Sequence, residues 1–334
     1  MVLGCGTGSD APAGMKVREG RAPAAFVSAK APAINALEPY ERIVRGFETC
    51  GLEGNQIVST CPAVHTFGAE MQGVSPDIRA KVGARMIDHR SPAVRVQAAS
   101  MVRLDVLARA AATERDPRVL EAFVRIAGKH AGDPDASSLL RVAARHPDTG
   151  VRLDAVDAIA QNPNMSSGAE TLVALAETDP DLRVRRSACE QAGRFGGPAV
   201  LPLYERATAN VTDPDFYAAC MGGLASMVTK SEPAYRLFLR RIAETPRTEH
   251  TPPWTVMSVF CDVEARPAFI DVVSVRRVFA SVVTDRAASM LARSAAIESL
   301  AGLGATPVEL TNLKKQLSAP ADKPLVDKIA AICE

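Results

Sequence analysis

The chain has 334 residues with 39 basic against 38 acidic side chains, a formal net charge of +1, so its overall balance gives no general attraction to nucleic acid or anionic lipid. Aromatic residues make up 4% with a single Trp, low for a globular enzyme, and no apolar run reaches the roughly 18 residues a membrane span requires. A chain of this length makes two ordinary domains or one elongated array.

In chain order, residues 1–35 mix Gly, Pro, Ala and Ser without a sustained period and are expected to form a disordered tether. Within it Val2-Leu3-Gly4-Cys5, followed by Gly6, resembles the lipobox that ends a bacterial lipoprotein signal, which would make Cys5 a lipidation site; the competing reading is an ordinary cysteine in a cytosolic tail. Residues 36–74 read as an N-terminal capping segment. There Tyr40, Ile43, Val44 and Phe47 share one side of a helix that ends at Gly51, and Pro62 opens another. Cys50 and Cys61 flank a short loop and are the expected disulfide in an oxidising compartment. A metal site from Cys50, Cys61 and His65 is the alternative, but it has neither a fourth ligand nor paired CxxC spacing.

From Ser75 onward helices follow one another, broken by Asp-Pro, Asn-Pro or Gly-Gly. Residues 75–88 form one and 91–111 a longer one, followed by shorter helices from Asp116 and Asp133. Here strict alternation is expected to fail, because the helices from Pro92 and Pro147 carry the same motif with two helices between them. The pattern then runs regularly to TPRTEHTPPW, the most loop-like insert, and resumes to the last helix, which carries Asp327 and Lys328 on one side and Ile329 and Ile332 on another.

The recurring unit is clearest in Asp179–Gly196, DPDLRVRRSACEQAGRFG. Asp179 can cap the helix with Pro180 first inside it, and Val184, Ala188 and Ala192 then form one narrow apolar stripe. Val94, Ala98 and Val102 repeat this register, as do Val151, Ala155 and Ile159, and Leu291 with Ala295. The small residues let a neighbouring helix approach. Asp179-Pro180 with Val184-Arg185, Val94-Arg95 and Val151-Arg152, each followed by Ala at the next turn, resemble the HEAT-repeat family over residues 75–334. His146 departs from the family's Asp, and Ala219 and Ala292 from its Arg. The resemblance implies an all-α fold without a sheet, an α-solenoid of about 7 stacked antiparallel helical pairs over residues 36–334. It also implies that Arg95, Arg152 and Arg185 form a ladder with turn carboxylates of adjacent repeats; a row of phosphate-binding guanidiniums is the rival.

Cys189 aligns with Ala99 and Val156, which suits a buried small hydrophobe. A Cys189–Cys220 bond is not expected, since helix axes usually lie about 8–10 Å apart and a disulfide needs Cα atoms within about 7 Å. Cys261 and Cys333 read as core residues. His65, His89, His130, His146 and His250 are dispersed without metal-ligand spacing, Gly193, Gly196 and Gly197 read as helix C-caps, and Asp213 and Asp215 as helix caps. No cofactor, metal or catalytic residue is expected. The resulting expectation is a non-enzymatic scaffold that binds another protein on its concave face, with Arg183, Arg186 and Trp254 as anchors. It would be held at a bacterial cell envelope through Cys5, its only link to a membrane, or be cytoplasmic if Cys5 is unmodified. No nucleic-acid partner is expected. The rivals are a HEAT-like enzyme of lyase or DNA-repair glycosylase type and a cytosolic nucleic-acid-binding module.

Overall fold

In the computed structural model, residues 44–244, 260 and 266–333 are described; the expected tether, Cys5, Trp254, His250 and Cys261 lie outside them. The chain is an all-α stack preceded by one small hairpin. Strands β1 (Leu52–Glu53) and β2 (Gln56–Ile57) pair antiparallel, with Leu52 opposite Ile57, and Gly54 supplies the positive φ (55°) that the two-residue loop needs. This hairpin corrects the expectation of no sheet. It is closed by the Cys50–Cys61 disulfide, as expected, with Cα atoms 5.7 Å apart, which excludes these two thiols as metal ligands.

Helices α1 (Pro62–Met71) and α2 (Pro76–Met86) lead into the array. It continues through α3 (Pro92–Ala99), α4 (Leu104–Ala111), α5 (Pro117–Gly128), α6 (Pro134–Ala143), α7 (Thr149–Ala160) and α8 (Gly168–Thr178). Next come α9 (Leu182–Ala192), α10 (Leu201–Ala207), α11 (Pro214–Ala225) and α12 (Glu232–Glu244). After residue 266 follow α13 (Val272–Thr284), α14 (Met290–Gly302), α15 (Pro307–Lys314) and α16 (Lys323–Cys333).

Helices α3, α5, α7, α9 and α11 each pack along the next one but one, making a single layer that carries the valine–arginine motif; the intervening helices form a second layer. Their stripes are the core: Val184, Ala188, Ala192, Val151, Ala155 and Ile159 are all fully buried. The caps Asp116, Asp148, Asp181 and Asp213 recur about every 32 residues, each taking a backbone N–H in the first turn of its helix.

Three expectations change. The stretch 91–111 is two helices, because the first helix ends at Ser100 and the chain turns before Leu104, with Met101 in the core and Arg103 extended (ψ 156°). That break supplies the missing helix, so α3 and α7 sit two full repeats apart and alternation never fails. The cap of α9 is Asp181 rather than Asp179, and Pro180 lies before the helix rather than in it. The same shift applies to α14, where Ser289 caps, Ala292, Ala296 and Leu300 form the buried stripe, and Leu291 is 57% exposed.

Cys189 and Cys220 are joined by a disulfide, against expectation. Their Cα atoms are 5.0 Å apart because α9 and α11 meet through glycine. A Cβ on Gly193 would overlap the Gly223 carbonyl, and one on Gly223 would overlap the Tyr204 hydroxyl and the Cys189 carbonyl. Gly193 ends α9 in ordinary helical conformation (φ −62°), so it serves close approach, whereas Gly196 (φ 63°) and Gly197 (φ 83°) supply the left-handed turn. The wholly buried Tyr204 donates its hydroxyl to Cys189 O at 2.9 Å, and burial pushes that hydroxyl's pKa well up.

Candidate functional site

The arginine ladder is built from two slots in each repeat: one four residues after the helix cap, the other two residues before the next cap. In α7 the first slot is Arg152, whose Nε and Nη2 donate to Asp179 Oδ2 and Oδ1 at 2.8 and 2.9 Å, while Nη1 donates to the carbonyls of His146 and Pro147. Asp179 in turn accepts the Asp181 N–H at 2.9 Å, so one carboxylate fixes both the incoming arginine and the turn that starts α9. Arg95 does the same with Glu114, at 2.6 and 3.0 Å, and Glu114 accepts the Asp116 N–H. Among the described residues Arg185 reaches only the carbonyls of Asp179 and Pro180, because Val211 stands where its carboxylate would be.

The same slot explains His146. Its Nδ1 accepts the Asp148 N–H at 3.1 Å, as His89 Nδ1 accepts that of Ser91, so imidazole replaces carboxylate as the turn acceptor. The upstream arginine slot is Leu120 there, and no cation demands a charge. Sequence reasoning missed a further rung. With Ser289 as cap the slot in α14 is Arg293, which donates to Val283 O at 2.8 Å and pairs with buried Asp322 at 2.7 Å. In α11 the slot falls on Tyr217, so neither Ala219 nor Ala292 occupies an arginine position.

On the exposed side of the valine–arginine layer, Arg183 is held bidentate by its own cap Asp181, and Arg118 by Asp116 in the same way. Arg186 bridges to Asp215 at 2.8 Å and Asp213 at 3.4 Å; Asp213 alone caps α11, and Asp215 serves as the ion partner. The proposed anchors Arg183 and Arg186 therefore carry neutralised charge, and no described contact brings them to the ladder arginines. Between them and Arg118 lies a carboxylate patch. Burial, then repulsion from Asp154, Asp148 and Asp116, holds the Glu121 carboxyl above its ordinary range. Burial and Asp157 do the same for Asp154, against the pull of Arg125.

Because these two acids bind protons more tightly folded than unfolded, they favour the folded state at the acid side of their window and lose that contribution as pH rises through their raised pKa values. The double change Glu121→Gln with Asp154→Asn is expected to raise the urea midpoint at about pH 7, an advantage that fades towards pH 4, roughly the ordinary carboxylate range. Parallel urea titrations at the two pH values check this; an equal shift at both would contradict it.

In the second layer, α4 packs along α6, but α6 and α8 part and leave a groove of about 650 Å³. Arg141 and Arg145 line one wall and Glu170, Thr171 and Thr178 the other, over a floor formed by the Arg152–Asp179 pair, Pro147 and Pro180. Neither Arg141 nor Arg145 has a carboxylate partner among the described residues, and the Oγ of Ser167, the cap residue of α8, is enclosed with no hydrogen-bond partner. The sequence signal was available: two arginines four residues apart, one in the last turn of α6 and one just past its end, with no acid three or four residues before either. No group of His, Cys, Asp and Glu among the described residues is arranged to hold a metal ion.

Residues 137–225 match the family model described as HEAT repeats. No curated protein matches the chain. The matched stretch runs from α6 through α11 and so contains the groove, the Arg152–Asp179 rung and the disulfide between α9 and α11. Stripe, caps and ladder recur on both sides of the matched stretch, so the helices around it are stacked in the same way.

Proposed function

We propose that this chain is a non-enzymatic scaffold that binds another protein along the concave side of the stack, through successive valine–arginine helices, at the cell envelope of a bacterium. The observation that carries the reading is the charge on that layer. Arg118, Arg183 and Arg186 are each neutralised by neighbouring aspartates, and Glu121, Asp154 and Asp157 lie among them across consecutive repeats. Such a face repels a polyphosphate backbone at several points and suits a partner of mixed charge. The stack presents it over many turns, so that many modest contacts add up. Two disulfides, Cys50–Cys61 and Cys189–Cys220, suit an oxidising compartment, and the lipobox-like Val2–Cys5 supplies the tether.

The test is affinity capture from the native host, comparing the intact chain with a variant carrying Arg183→Glu and Arg186→Glu. Each reversal sets a new glutamate against the aspartates that now hold the arginine. A partner captured by the parent and lost by the variant supports the surface; equal capture counts against it. Mass spectrometry of the N-terminal peptide for an acylated Cys5 tests the location.

A further inference from the structure

We infer that the groove between α6 and α8 is a second binding site, which takes an extended peptide segment bearing an acidic side chain. It goes beyond the concave face and rests on the scaffold reading only in that its ligand is part of a protein. The guanidiniums of Arg95, Arg152 and Arg293 are matched by the carboxylates of Glu114, Asp179 and Asp322, whereas the exposed Arg141 and Arg145, on one wall of the groove, are matched by none among the described residues. The opposite wall offers Glu170, which has no cationic partner among the described residues. A site with donors on one side and an acceptor on the other is polar in a fixed direction. A free phosphate would meet Glu170 as a like charge; a peptide can present a carboxylate to the arginines and backbone N–H groups to Glu170.

The remaining lining fits a chain rather than a small ion. Ala144, Ala174, Leu175, Pro147 and Pro180 give apolar contact along the groove. His146 uses Nδ1 on the turn, which fixes its proton on Nε2 and leaves a donor at the same rim. A volume of about 650 Å³ holds a few residues of extended chain.

The experiment is selection of a random peptide library displayed on phage against the full chain, with subtraction on a variant carrying Arg141→Glu and Arg145→Glu. Enriched peptides are expected to contain Asp or Glu. In fluorescence polarisation the selected peptide should lose about tenfold or more in affinity on the double reversal, and as much when its own acid becomes the amide. Glu170→Gln, which keeps an acceptor oxygen but loses its charge, should weaken binding only a few-fold, far less than the double reversal, whereas a general loss of structure would weaken both alike. Both arginines are exposed, and if the reversal lowers helicity the milder Arg141→Gln, Arg145→Gln pair replaces it. Enrichment without acids, equal affinity for parent and variant, or full displacement by equimolar inorganic phosphate overturns the inference. Partner capture through Arg183 and Arg186 is read separately, so this groove can fail while the scaffold reading stands, and the reverse.

Discussion

Arg152→Met should destabilise the stack by about 3–5 kcal/mol, the largest loss expected from any single side chain in the ladder, because it strands a buried carboxylate. Asp179 is 2% exposed and Arg152 8%, and together they make two direct hydrogen bonds with almost no solvent to replace them. The arginine also ties down the carbonyls of His146 and Pro147 before α7, so its removal loosens two turns at once. The hydrogen bond to Asp179, and then the charge of Asp179, raise the pKa of Arg152 further, so neutralising the cation is no escape. Changing both residues, Arg152→Met with Asp179→Leu, should cost less than Arg152→Met alone, since no charge is left buried; the residual penalty of about 1 kcal/mol is the lost acceptor for the Asp181 N–H. Arg183→Met, which breaks an exposed pair, should leave the urea midpoint close to that of the parent. Urea denaturation followed by circular dichroism measures all three. Weakening one interface of a linear array also uncouples its two sides, so Arg152→Met should show a broadened or two-step transition. A shift under about 1 kcal/mol for Arg152→Met would mean that water reaches Asp179 and that the ladder is not what couples these repeats.

That rung was legible in the sequence because Val-Arg followed by alanines is a local pattern, and because alternation of helices is written in their breakers. What was not legible were features decided by one residue of register or by distant neighbours. Ser100–Arg103 carries no Gly or Pro, yet the chain breaks there, since only then can Met101 reach the core between α2 and α3. The cap was misplaced in DPDLRV because two aspartates stand two residues apart, and only the geometry shows that Asp179 closes the previous repeat while Asp181 opens the next. Leu291 looked like a stripe residue for the same reason, and its exposure follows once Ser289 is the cap. The groove was missed because it is a gap between helices, and periodicity within a helix says nothing about how far apart two helices of one layer lie.

The Cys189–Cys220 bond was argued away on the average spacing of helices, and its presence makes a strong prediction. Replacing both cysteines with alanine should lower stability by about 3–4 kcal/mol, from the loop entropy of a 31-residue separation, against about 2–3 kcal/mol for Cys50 and Cys61 at a separation of 11. The two bonds should also differ in access. Cys189 and Cys220 are fully buried under Tyr204, whereas Cys50 is partly exposed at the edge of the hairpin. Under mild dithiothreitol, with alkylation and mass spectrometry as the readout, Cys50–Cys61 should open first and Cys189–Cys220 only as fast as the stack itself opens. Loss of the inner bond without loss of helicity, or free thiols at Cys189 and Cys220 in protein isolated from its native compartment, would contradict the arrangement. The consequence reaches beyond stability. Gly193 and Gly223 bring α9 and α11 so close that these two sulfurs are always in reach, so the compartment's redox state decides whether the centre of the stack is stapled. In an oxidising compartment the staple ties α9, with its arginine face, to α11, whereas in a reducing one the same two helices would be held together by packing and hydrogen bonds alone.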